Sequence, residues 1–154
     1  MSSLNTDIIF KSLLSAALIY KELKSTYKKT DNSTRKCSIG SPYISYDIEM
    51  KSTNNRELII SLIDYGEKKK ISVTIYNRES GSYTPLSLER YLVSECNLTQ
   101  VEDLMKFDSD NNKELFENLN RFFKWLDKSQ IESLSKILKG ELWIELEFDW
   151  HGYK

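Results

Sequence analysis

The chain has 154 residues, 40% hydrophobic and 29% charged, with a formal net charge of −1. This is the make-up of one globular domain with a sizeable core, which excludes a disordered tail or a membrane protein. The near-zero balance also lacks the basic excess on which non-specific nucleic-acid binding depends.

Asn5 or Thr6 can cap a first helix. Ile9, Leu13, Ala16, Tyr20, Leu23 and Tyr27 recur at helical spacing, so one helix is predicted to run to about Tyr27. Its apolar run, Leu13 to Tyr20, is too short to cross a bilayer. Asp7 and Lys11, both ahead of it, argue against a signal peptide. The polar run Lys28 to Lys36 reads as a loop.

Three strands of a meander are predicted next. Ile44, Tyr46, Ile48 and Met50 alternate with Ser45, Asp47 and Glu49, a half-buried pattern. Leu58 to Ile63 is apolar on both faces, which predicts a central strand covered on two sides. Ile71, Val73 and Ile75 alternate again, with Asn54-Asn55 and Gly66-Glu67 supplying the turns.

The period then switches to helical. Thr84-Pro85 is a plausible helix start, with Leu88, Tyr91, Leu92 and Cys96 on one face. Thr99-Gln-Val-Glu102 and Ser129-Gln-Ile-Glu132 have the form of capping boxes. Asp108 to Asn112 reads as a loop. Leu115, Phe116, Leu119, Phe122, Phe123 and Leu126 define a strongly amphipathic helix. A last helix should stop at Lys139, with Gly140 just beyond.

Glu141-Leu-Trp-Ile-Glu-Leu-Glu-Phe-Asp-Trp150 closes the sequence as a predicted strand. Leu142, Ile144, Leu146, Phe148 and Trp150 share one face. Glu141, Trp143, Glu145, Glu147 and Asp149 share the other. The fold class expected is therefore α+β, in a single domain spanning residues 1–154. It comprises an N-terminal helix, a three-stranded antiparallel meander, about three helices, and a C-terminal strand returning to the sheet.

Charge is distributed unevenly. Seven Lys/Arg stand against three Asp/Glu from Met1 to Ile39, but eight against twelve from Asn97 to Lys154. A local basic patch near Lys28, Lys29, Arg35 and Lys36 stays open, while nucleic acid and membrane are not expected partners. The single histidine, His151, lies near the end without an identifiable partner. No nucleophile elbow, phosphate loop or zinc helix motif occurs, so neither enzyme activity nor a cofactor is expected. Asp108-Ser-Asp110 begins like a calcium loop, but Lys113 stands where such a loop needs glycine. Cys37 and Cys96 are read as free thiols, with one disulfide as the alternative.

Four carboxylates around one tryptophan leave three readings of the acidic face. As a metal site it fits poorly, because same-face strand neighbours are about 7 Å apart while Mg²⁺ wants oxygens at about 2.1 Å. It is otherwise a solvated outer face or a surface for a basic protein. This acidic strand and the tyrosine-rich meander, in a chain with no nucleophile–base set, resemble the bacterial immunity proteins of contact-dependent and other polymorphic toxin systems. The resemblance is one of general form across the whole chain. It implies a cytoplasmic protein that neutralises one cognate, basic, nuclease-like toxin domain, through Glu141, Trp143, Glu145, Glu147 and Asp149. A small acidic secretion chaperone and a carboxylate/metal enzyme are the alternative classes.

Overall fold

The computed structural model describes residues 5–79, 84–108 and 111–146. It is an α+β fold. Helices α1 (Thr6–Ala17) and α2 (Lys21–Thr26) precede strands β1 (Lys28–Cys37), β2 (Tyr43–Lys51), β3 (Arg56–Asp64), β4 (Lys69–Asn77) and β5 (Thr84–Ser87). Then come α3 (Leu88–Ser94), α4 (Val101–Met105), the two-residue β6 (Lys106–Phe107), α5 (Asn112–Ser129) and α6 (Glu132–Leu138). The sheet is antiparallel in the order β1-β2-β3-β4-β5, and β6 pairs with the start of β4.

The meander follows from the apolar alternation. Register aligns Ile48, Ile60 and Val73, and likewise Met50, Leu58 and Ile75, on one face. Onto that face every helix contributes buried side chains, among them Leu13, Leu23, Leu92, Met105, Phe123 and Leu138. Asn55 and Gly66 take the positive φ that the two turns need, at 61° and 96°. β3 is central, as its composition predicts. Its apolar residues on the other parity are not matched by a second helical layer, since all six helices join one cluster on the Leu58–Ile60–Leu62 side.

Several expected boundaries are corrected. The single N-terminal helix is two: tight bonds from Ile19 N–H to the Ala16 carbonyl and from Tyr20 N–H to the Ala17 carbonyl end α1, and Tyr20 turns extended. Asp127, from α5, then caps α2 by accepting from Lys21 N–H at 3.0 Å. The expected loop Lys28 to Lys36 is strand β1. Thr84-Pro85 opens strand β5, and helix α3 begins later, capped by the Ser87 hydroxyl accepting from Arg90 N–H. Neither capping box forms: Gln100 and Ile131 occupy the N-cap positions, without side-chain bonds. Ser129 is still inside α5, where its hydroxyl donates to the Trp125 carbonyl at 2.8 Å.

The largest correction concerns the C-terminus. Residues 141–146 run as irregular chain and join no sheet. Residues 147–150 of the predicted strand lie outside the described residues. The path is set by the end of α6, where Glu141 N–H donates to the Lys136 carbonyl and Gly140 N–H to the Ile137 carbonyl. This nested pair is a Schellman cap, and it requires the left-handed φ of 83° found at Gly140. The cap also presses on the β2–β3 turn. A Cβ at position 140 would stand 2.8 Å from the Asn54 carbonyl oxygen.

Tyr27 ties the same helix end to the sheet, its hydroxyl donating to the Leu138 carbonyl at 2.7 Å. Burial drives its phenol pKa strongly upward. Two outcomes are expected. Gly140→Ala should cost about 1–3 kcal/mol, because it combines a left-handed backbone with a contact to main-chain atoms. Urea denaturation checks this, and a cost below 0.5 kcal/mol (roughly the scatter of surface changes) would contradict it. The raised Tyr27 pKa means that the unfolded chain loses its phenolic proton first. Stability should hold below the ordinary value of 10.0 and fall as pH rises above it. Tyr27→Phe should flatten part of that alkaline slope.

Candidate protein-binding surface

Arg56 opens β3 on the parity of Leu58, Ile60 and Leu62, so its side chain enters the helix-facing side and is only 1% exposed. A buried guanidinium is costly unless its donors are used. Here Nε donates to the Ile137 carbonyl at 2.8 Å, Nη1 to Asn77 Oδ1 at 2.9 Å, and Nη2 to the Leu142 carbonyl at 3.0 Å. The Glu79 carboxylate lies 3.6 Å from Nη1 but is half exposed, so screening weakens that pair. The carbonyl of Ile137 belongs to the last turn of α6, where the helix dipole favours a cation.

The guanidinium also lies 5.0 Å from the centre of the Trp143 ring, within cation–π range. Trp143 is thus turned toward the body. It does not sit across the chain from Leu142, Ile144 and Leu146, because all four pack against the core cluster. Its indole N–H is buried and meets no acceptor among the described residues. Of the expected partner-binding residues, Glu141 and Glu145 are exposed at either end of this stretch. They make no ion pair among the described residues. Glu147 and Asp149 lie outside the described residues, as does His151.

The structure adds carboxylates that periodicity did not mark. Glu95, Glu102, Asp103 and Asp108, around α3 and α4, are exposed and form no ion pair among the described residues. Arg56 itself was readable in principle. A lone arginine two residues before Leu58, on the core parity, signals a buried cation that must find acceptors.

Two surface grooves have other uses. One of about 340 Å³ lies between α2, α5 and α6, but its carboxylates are occupied. Glu22 accepts from the Ser135 hydroxyl at 2.5 Å and lies 3.7 Å from Lys139 Nζ, while Asp127 caps α2. The other, about 510 Å³, runs along α5 past Arg121, Lys124, Trp125 and Lys128, and is basic. Among the described residues no cluster of His, Cys, Asp and Glu has metal-binding geometry, and both cysteines are free thiols. No described helix is long and apolar enough to cross a membrane.

Comparison of the chain with protein-family models, with curated proteins and with solved structures returned no significant match.

Replacing Arg56 should be among the most destabilising single changes in the molecule. Arg56→Met preserves much of the volume yet takes the guanidinium from three acceptors. The Ile137 carbonyl keeps Gly140 N–H and Asn77 Oδ1 keeps Glu79 N–H, while the Leu142 carbonyl and the Trp143 ring lose their anchor, an expected loss of about 3 kcal/mol. Arg56→Lys should recover only part, because an ammonium cannot span three divergent acceptors. Full stability of the lysine variant in urea denaturation would refute the three-way anchor.

Proposed function

We propose that the chain is a toxin-neutralising immunity protein, binding a basic, nuclease-like toxin domain through the acidic surface that includes Glu141 and Glu145. The observation that carries this reading is the anchoring of the C-terminal segment. Arg56 fixes the Leu142 carbonyl and the Trp143 ring, so the backbone between two exposed carboxylates is held before any partner arrives. Ordering such a segment in advance removes an entropic cost of association. Exposed carboxylates speed encounter with a cationic partner, and they can stand where nucleic-acid phosphates would sit.

The exposed carboxylates around α3 and α4 support the same electrostatic preference. In this reading Trp143 acts chiefly from beneath, as the brace of the segment. Glu147 and Asp149 extend the carboxylate series in sequence. The secretion-chaperone reading would call for a broad apolar groove. The large exposed hydrophobics among the described residues are Ile8 in α1, Ile39 and Tyr65 in two loops, and Phe116 in α5, which favours the polar surface.

The test takes as ligand a basic nuclease toxin domain recovered with the intact protein in a pull-down, and recovery of none would count against the reading. Glu141→Lys combined with Glu145→Lys should weaken a one-to-one complex by about a hundredfold, equivalent to about 2.7 kcal/mol. Protection of cells expressing the toxin should fall with it, while circular dichroism stays unchanged. Undiminished binding by that double variant would remove this surface from the interface.

A further inference from the structure

β1 is solvent-exposed along nearly its whole length. Lys28 through Lys36 are exposed and only Cys37 is half-buried, on a strand paired to β2 alone. The helices do not reach over it, so both its faces and its outer edge meet water. The opposite side of the sheet differs. There β5 and β6 cover separate ends of β4, with α3 packed against β4 and β5. β1 therefore presents the one long continuous edge among the described residues, with unpaired backbone donors and acceptors along it.

We infer that β1 is a docking edge for an extended acidic polypeptide segment, which adds as a further strand. Cations sit at both ends of β1 and on both faces: Lys28 and Lys29 at one end, Arg35 and Lys36 at the other. Asp31 is the one carboxylate between them. Arg35 is engaged by Asp47 at 3.0 Å, but Lys28, Lys29 and Lys36 have no carboxylate partner among the described residues.

The same charges argue against a second copy. Antiparallel self-pairing about the strand centre sets Lys29 opposite Lys36. Shifting by one residue in one direction sets Lys28 opposite Lys36 and Lys29 opposite Arg35. The other direction sets Arg35, already engaged by Asp47, opposite Asp31 and leaves Lys28, Lys29 and Lys36 without a carboxylate. Like charges directly opposite destabilise a pair. The irregularity between Lys29 and Asp31 further spoils a flat self-template. An incoming strand with carboxylates at its two ends meets all of these cations favourably. Main-chain bonds would supply the affinity and the end charges the selection. This inference does not depend on the toxin reading, whose carboxylates lie elsewhere.

The probe is a blocked synthetic peptide, Glu-Glu-Thr-Val-Thr-Val-Thr-Glu-Glu, beside a version with lysine at every glutamate. With the intact protein, the acidic peptide should slow hydrogen exchange of β1 amides about tenfold or more. The lysine peptide should not, and Lys29→Glu with Lys36→Glu should abolish the effect while leaving circular dichroism unchanged. Absence of protection would overturn the inference, leaving the lysines as a guard against aggregation. So would equal protection by both peptides, or chemical-shift changes confined to the Arg121–Lys128 face of α5.

Discussion

One buried cation holds together parts of the chain that nothing else joins so directly. Arg56 bonds to the end of β4 through Asn77, to the last turn of α6 through Ile137, and to the C-terminal segment through Leu142. Placing a charge at 1% exposure is unfavourable until these donors are satisfied. The guanidinium suits the position because its donors diverge in one plane while its face is left for the Trp143 ring. Around this point Tyr27 and Gly140 act as supporting restraints. One bonds the Leu138 carbonyl, and the other lets α6 approach the Asn54 backbone without a side chain between them.

Legibility in the sequence tracks burial. β2, β3, β4 and α5 are visible because each places large apolar residues at a fixed period against one core. β1 reads as a loop in the sequence because an edge strand exposed on both faces needs no apolar alternation, and its polar residues look like turn composition. The break between α1 and α2 is hidden for a different reason. Leu23 and Tyr27 remain buried on either interpretation, so the apolar spacing continues across it. The capping boxes fail where the Thr99 main-chain carbonyl, rather than its hydroxyl, accepts from Glu102 N–H, and where Ser129 is still inside the preceding helix.

The C-terminal segment shows how a clean alternation can mislead. Period two predicts two opposed faces only when the chain is a paired strand. Residues 141–146 instead follow a Schellman cap, whose geometry fixes the exit direction. Irregular backbone then lets Trp143 turn inward alongside Leu142, Ile144 and Leu146. The two glutamates flanking the stretch remain outside because a carboxylate gains nothing from that apolar seat. Two of the five expected residues, Glu141 and Glu145, are exposed charge, and the aromatic member becomes a support.

Charge organisation joins these points. A net charge of −1 conceals cations gathered on the β1 edge and carboxylates gathered around α3 and α4 at the other side of the sheet. Such separation adds little to folding, since exposed charges are screened by solvent and salt. It does impose direction on encounters: a cationic partner is drawn toward α3 and α4, and an anionic segment toward β1. The two surfaces therefore do not compete for the same ligand. The attachment made by Arg56 matters for neither of these but for the segment from Glu141 to Leu146, which has no ladder like that of β1 to β2 and takes its shape from the Schellman cap, its apolar packing and that side chain.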